Sequence, residues 1–446
     1  MRRWGLFLLI LLLVGCGGSS ATPTPTLAPS PSAAPTAVQV APTASPTSAP
    51  TAAPTATTSA PTVAATSAGG TAAATTVATK APAPAATATA TGDLTQLHVG
   101  DNGDGYGFNV WGLSGDQAFR DKVYANVQGA GFGWVRQQVV WASMEPQKGN
   151  YGNDTTAQLD QFVSGASAKG LKVLLSVVKS PDWIGANGGL PSTRTQDFTD
   201  FMAFLTQRYK GKVQAYEIWN EQNYAVETGG KVNVAAYLPV LKAGFQAVKK
   251  ADPKAIVVMG GLTPTGVNDP SIALNDVEYL RQIYALNGGE IKQYYDVLGA
   301  HPGSNCNDPD HSYPDNPQGC DVNGDGKPDF ANDNSFYFKR ILDLRKVMED
   351  AGEGQTKMWL TEFGWTTANQ AKGYEYGKFV SDAQQAQYLT RAFALGKSYP
   401  WMGVMFVWNL NFATITQPSD EKHPWGVLTS DWSPRPSYTA LKGMAK

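Results

Sequence analysis

The chain has 446 residues, with 35 Lys and Arg against 37 Asp and Glu for a formal charge of −2, and 11% of its residues are aromatic, 12 of them Trp. All the acids lie after residue 92, as do all the bases except Arg2, Arg3 and Lys80, so the C-terminal part is mildly acidic. Without a basic stripe, nucleic acid is excluded as a partner.

Residues 1–15 place Arg2 and Arg3 before a short apolar run, too short to span a bilayer but suited to a signal-peptide core. The run closes on Leu13-Val14-Gly15-Cys16, which resembles the lipobox of bacterial lipoproteins. That resemblance implies cleavage before Cys16, its lipidation, and an exported protein that meets the membrane only through its lipid anchor at the cell surface or envelope. Residues 16–92 are almost only Ala, Thr, Pro, Ser, Val and Gly. Such a segment buries too little apolar surface to offset its ordering entropy and is expected to be a disordered tether. At ~3.1 Å per residue, a polyproline-like tether of this kind reaches on the order of 200 Å at most.

From residue 93 to 446 short apolar runs alternate with amphipathic stretches, and the length suits one single-core domain. Strands are predicted at 106–111, 134–141, 172–178, 215–221, 256–262, 296–301, 357–363 and 404–409. Several are nearly continuous apolar runs, as strands buried on both faces should be. Between them, Leu159, Phe162, Val163 and Ala166 recur at helical spacing, as do Phe198, Phe201, Met202, Leu205 and Tyr209. Further helical patterns run through Tyr237 to Val248, Phe338 to Leu344 and Tyr388 to Leu395, with a last helix at 437–444. Gly170 and Gly211 are expected helix stops. Eight β–α units in order predict a single (β/α)8 TIM barrel. An open doubly wound sheet fits less well, because no Gly-rich phosphate loop follows the first strand.

A barrel of this kind gathers its site at the C-terminal ends of the strands. Those ends carry Asn109 and Trp111, Arg136 and Trp141, Lys179 and Trp183, Asn220 and Glu221, His301, Glu362 and Trp365, and Trp408 and Asn409. Two carboxylates stand out, Glu221 and Glu362, at strands four and seven, which face each other across the mouth. A protonated and an ionised carboxyl sharing one cavity is what glycoside hydrolysis requires. A gap of about 5 Å gives retention and ~6.5–9.5 Å gives inversion.

Trp219-Asn220-Glu221 on strand four and Thr361-Glu362-Phe363-Gly364-Trp365 on strand seven resemble the catalytic motifs of clan A retaining glycoside hydrolases. The stretches 141–151 (WASMEPQKGNY) and 425–443 (WGVLTSDWSPRPSYTALKG) are similar to others in that clan, and the likeness covers essentially the whole domain, nearest to family 5 and family 39. It implies that Glu221 is the acid/base and Glu362 the nucleophile. It further implies that Asn220 contacts a sugar hydroxyl, that Arg136 keeps Glu362 ionised and that Trp408 is a sugar platform. His301, Trp141 and Trp183 complete the expected substrate-binding set. Glu217, deeper in strand four, is expected to form a structural ion pair. Two departures leave the substrate open: no Tyr follows His301 two residues on, and strand three ends in Val178-Lys179-Ser180-Pro181 without a His. The expected activity is double-displacement hydrolysis of a β-linked glycan of β-glucan, xylan or exopolysaccharide type, by a monomer that needs no cofactor for catalysis. A non-catalytic barrel that binds polysaccharide or scaffolds the envelope also needs the tryptophans, but only an enzyme needs both glutamates.

The loop 302–334 is an insertion. Cys306 and Cys320, the only cysteines after Cys16, fall inside it and are expected to form a disulfide. Asp321, Asn323, Asp325, Lys327 and Asp329 occupy positions one, three, five, seven and nine of an EF-type loop with Gly326 at the sixth. Position twelve is Asn332 rather than a bidentate Glu. A structural Ca2+ is the corresponding expectation.

Overall fold

The computed structural model describes residues 93–313, 320–322, 324–326 and 334–446. The expected signal peptide (1–15), Cys16 and the tether (16–92) lie outside the described residues, as do Asn323, Lys327 and Asp329 of the calcium pattern.

Eight parallel strands close into a barrel in sequence order. They are β1 (Tyr106–Asn109), β2 (Trp134–Val140), β3 (Lys172–Val178), β4 (Ala215–Ile218), β5 (Ile256–Leu262), β6 (Val297–Ala300), β7 (Met358–Phe363) and β8 (Met402–Val407). Each falls where an apolar run predicted it. The helices among the described residues are α1 (Gln117–Gly129), α2 (Trp141–Met144), α3 (Asp154–Ala168), α4 (Thr195–Arg208), α5 (Val234–Ala251), α6 (Asp276–Ala285), α7 (Arg340–Asp350), α8 (Asp382–Ser398) and α9 (Pro436–Gly443). Gly170 and Gly211 take φ of +74°, the left-handed conformation that stops a helix. The apolar pattern did not reveal α1 and α6, because each buries a charged residue within its inward stripe. Arg120 of α1 is buried, and Asp276 of α6 meets Arg340 of α7 at 2.7 Å.

Two apolar layers result. Outward-facing strand residues such as Val135, Val173, Ile218 and Leu360 pack with the helices in the main core. Inward-facing residues near the strand starts, among them Trp134, Leu174, Ile256, Trp359 and Phe406, fill the N-terminal half of the barrel. Trp134 and Trp359 meet edge to face at 5.2 Å. Gly403 makes room for them, since a Cβ there would lie 2.2 Å from Trp359 Cδ1. The barrel floor is therefore apolar and filled, which leaves the other mouth for chemistry.

Strict alternation cannot point both Thr361 and Glu362 into the barrel. The ladder resolves this. Leu360 pairs with Met405 and Phe363 with Val407, so β7 spends three residues where β8 spends two. The extra residue is a β-bulge, which re-aims a side chain, and it turns Glu362 inward beside Thr361. β5 has a like irregularity between Met259 and Leu262.

In the insertion Cys306 and Cys320 are bridged, with Cα atoms 6.2 Å apart. The Asp321 carboxylate accepts the backbone N–H groups of Gly324, Asp325 and Gly326 at 2.7, 3.0 and 2.8 Å, so it closes its own turn. Replacing both cysteines by Ser is expected to cost at most about 3 kcal/mol, the loop-entropy value for a ring of this size. Denaturant unfolding with and without the bridge measures it.

Candidate active site

The mouth is organised around Arg136 of β2, whose guanidinium is fully buried. Its Nε donates to Glu217 Oε2 at 2.7 Å, and Nη1 donates to Asn109 Oδ1 at 2.7 Å and Glu362 Oε1 at 2.6 Å. Its Nη2 donates to Ser176 Oγ at 3.1 Å and Asn220 Oδ1 at 2.8 Å. One cation thus ties together residues of β1, β2, β3 and β7, Glu217 of β4, and Asn220 just beyond β4. Glu217 also accepts the Gly261 N–H at 3.1 Å, so both its oxygens are bonded within the barrel. Glu362 keeps Oε2 without a partner in the protein.

The predicted strand 215–221 is shorter than expected, because β4 ends at Ile218. Trp219 and Glu221 then take φ of +71° and +48°, which no strand contains. Left-handed backbone at non-glycine residues costs of order 1 kcal/mol or more each and persists only when the surroundings enforce it. The Trp219 N–H donates to Val177 O and its indole Nε1 donates to Glu227 O, while the Glu221 N–H donates to Gly261 O. These bonds deliver Asn220 and Glu221 to the mouth on consecutive residues.

Glu221 is fully buried. Its Oε1 lies 3.1 Å from His301 Nδ1, and its Oε2 has no partner in the protein. His301 Nε2 lies 2.9 Å from Thr361 Oγ1. Burial, reinforced by Arg136, holds the His301 ring well below its usual range, so it is neutral. The neutral ring bridges Glu221 Oε1 and Thr361 Oγ1, donating through one nitrogen and accepting through the other.

Burial raises both carboxyls. Glu221 is pushed well above the carboxylate range by burial and then by the charges of Glu362 and Glu227. Glu362 is raised by burial to about 7, with the guanidinium of Arg136 pulling it back down. Arg136 is shared with Glu217, so its pull on Glu362 is partial. The ordering of the pair follows: one shared proton belongs to Glu221, and Glu362 is the anion. One oxygen of Glu221, one of Glu362 and one ring nitrogen of His301 lie within 4.8 Å of one another.

Gly261 faces this cluster. A Cβ on it would meet His301 Nε2 at 2.3 Å and Thr361 Oγ1 at 2.7 Å. Gly261→Ala is expected to displace the imidazole from Glu221 and lower kcat on the order of 10²-fold. Comparing its melting temperature with that of wild type separates this from unfolding.

Above Glu362 opens a cavity lined by Thr263, His301, Asn305, Phe336, Tyr376, Trp408 and Trp425, among others. Trp408 follows β8 as predicted, joined to Asn409 by a cis peptide bond. The expectation for Trp141 is corrected. It is fully buried, lies nearly parallel to Phe201 at 5.2 Å, and donates its indole N–H to Glu145 Oε2 at 2.6 Å. The chain enters α2 at this residue and carries the ring away from the mouth. Trp183 is half-buried. It packs edge to face on Trp141 at 5.8 Å and donates to Glu145 O at 2.9 Å. Lys179, at the end of β3, pairs with buried Glu227 at 2.9 Å. Residues 225–227 form a short 3-10 turn with no motif of their own, so Glu227 escaped the sequence reading, as did Asn305.

Residues 100–411 match the family model described as Cellulase (glycosyl hydrolase family 5). No match was found among curated proteins. Among solved structures, a family 39 glycoside hydrolase from the gut symbiont Bacteroides cellulosilyticus WH2 is 25% identical with a TM-score of 0.54 over 76% of this chain and 62% of the other. The exo-β-1,4-mannosidase Op5Man5 from Opitutaceae bacterium strain TAV5 is 16% identical with a TM-score of 0.54, over 80% of this chain and 62% of that one. GH5_18 from Streptomyces cattleya, in complex with a Manβ1-4GlcNAc unit, is 14% identical with a TM-score of 0.56, over 77% and 80%. The chain therefore spans less than two thirds of the first two, and the two likenesses below 25% identity concern the fold alone.

Proposed function

We propose that this chain, which belongs to glycosyl hydrolase family 5, is a retaining glycoside hydrolase of β-linked glycans in which Glu362 is the nucleophile and Glu221 the acid/base. The observation that carries the reading is the carboxyl pair: two buried carboxyls with one oxygen of each within 4.8 Å of the other's, each with Oε1 anchored and Oε2 without a hydrogen-bond partner in the protein. In the first step Glu362 Oε2 attacks the anomeric carbon while Glu221 Oε2 gives its proton to the departing glycosidic oxygen. The C–O bond breaks and a glycosyl ester forms on Glu362. In the second step Glu221, now an anion, takes a proton from water, whose oxygen displaces Glu362 and restores the original configuration. Asn220, its Oδ1 held by Arg136, keeps a buried Nδ2 donor without a partner in the protein, which suits a sugar hydroxyl. The family's chemistry needs no catalytic cofactor.

The test is a panel of 4-nitrophenyl glycosides and polysaccharides run on wild type and on Glu362→Ala, with the first-formed anomer read by NMR. Turnover with retention supports the reading. No turnover, an inverted product, or full activity in the variant overturns it. The proposal also sets the enzyme outside the cytoplasm, tethered through Cys16. Incorporation of a palmitate probe that is lost in Cys16→Ser is the expected result.

A further inference from the structure

Four residues that line the cavity at Glu362 each carry a buried polar atom with no hydrogen-bond partner within the protein: Glu362 Oε2, Asn305 Nδ2, Trp408 Nε1 and Trp425 Nε1. Glu362 is accounted for by the reaction. The other three are N–H donors, each on a side chain no more than 6% exposed. A buried donor left unpaired costs about 1–3 kcal/mol, so three around one cavity indicate acceptors brought by a ligand.

The placement of Asn305 is built into the fold. Its φ is +47°, a left-handed conformation that Asn tolerates better than most residues. The next residue, Cys306, is fixed by its bridge to Cys320. Asn307 accepts the Trp365 indole N–H at 2.8 Å through its carbonyl and donates its own amide to Phe336 O at 2.7 Å. The turn holding Asn305 is thus pinned to β7's exit and to the chain before α7. Trp425 lies on the far side of the family match, beyond residue 411, and its ring packs with Trp408, Tyr374 and Tyr376.

We propose that Asn305 and Trp425 are specificity-determining residues whose N–H groups clamp two hydroxyl oxygens of a neutral sugar ring seated against Glu362. The inference rests on the glycosidase reading and deepens it by naming the class of sugar. Donors alone would also suit a carboxylate. The surrounding charge decides against a uronic acid: among the described residues Arg136 pairs with Glu362 at 2.6 Å, Lys179 with buried Glu227 at 2.9 Å and Lys422 with half-buried Glu421 at 3.1 Å, so each of these cations already has its carboxylate. Glu421 further keeps Oε2 without a partner and lies in the field of cavity-lining Tyr376. A ligand carboxylate would face the Glu362 anion and find these three cations already paired.

The experiment uses the full chain with Asn305→Gly, which keeps the left-handed backbone, and Trp425→Phe, which keeps a ring and removes the N–H. Substrates are the best 4-nitrophenyl β-glycoside, its monodeoxy analogues and the matching β-glucuronide. Each variant is expected to lose about tenfold in kcat/KM. For each, one deoxy position that weakens wild type should no longer matter, and the glucuronide should be the poorest substrate of all. Variants with wild-type kcat/KM and wild-type deoxy sensitivity overturn the clamp, as does a glucuronide processed as well as the neutral glycoside. Should wild type turn over no glycoside, the catalytic reading fails on its own. Calorimetric titration of methyl glycosides into wild type and Asn305→Gly then decides the clamp: weaker binding in the variant supports it, equal binding overturns it.

Discussion

Glu362→Ala is expected to lower turnover of any β-glycoside the wild type accepts by on the order of 10⁴-fold or more, the scale of losing a covalent nucleophile. Its fold should survive. Arg136 loses one carboxylate but keeps Glu217 at 2.7 Å, so no buried charge is left alone. Azide, small enough for the space vacated, should attack the anomeric carbon from the same face and return an α-glycosyl azide. Steady-state kinetics with and without azide, and the anomeric form of the adduct, provide the measurement. A variant within tenfold of wild type would mean that Glu362 does not attack.

Glu221→Ala has a different signature. For substrates with poor leaving groups, loss of the general acid should cost about 10²–10⁴-fold. For a dinitrophenyl glycoside, whose leaving group needs no proton, bond cleavage should be nearly unchanged and the glycosyl ester should accumulate as a burst. The pH profile distinguishes the two roles. Activity requires Glu362 ionised, so it falls as pH drops through the lower apparent pKa of the pair, near where burial sets Glu362. It requires Glu221 protonated, so it also falls as pH rises through the upper one. In Glu221→Ala the alkaline limb should vanish and the acid limb remain. An unchanged bell would place the proton donor elsewhere.

The barrel was legible because strands buried on both faces must be apolar throughout, and eight such runs can hardly be mistaken. Glu221 and Glu362 were legible because they end the fourth and seventh of them. What a strand end does not specify is where each side chain points. Trp141 ends β2 just as Trp408 ends β8, yet the first turns into a helix whose Glu145 takes its N–H, and the second lines the cavity. Asn305 carries no motif. Its role depends on a left-handed turn, a disulfide and a carbonyl bond to Trp365, none of which has a sequence period. The charge order of the two glutamates was expected, with Arg136 keeping Glu362 ionised; that Arg136 is divided between Glu217 and Glu362 was out of reach.

The bulge in β7 gives Glu362 an unusual vulnerability. Because β7 runs one residue longer than its neighbour over the span from Leu360 to Phe363, the inside–outside parity of the strand changes sign at Glu362. Composition, charge and apolar pattern would be nearly indifferent to removing one residue here. The geometry would not be, because a strand returned to even phase would send the carboxylate into the wall among the helices. The site is therefore guarded by a count of residues as much as by their identities.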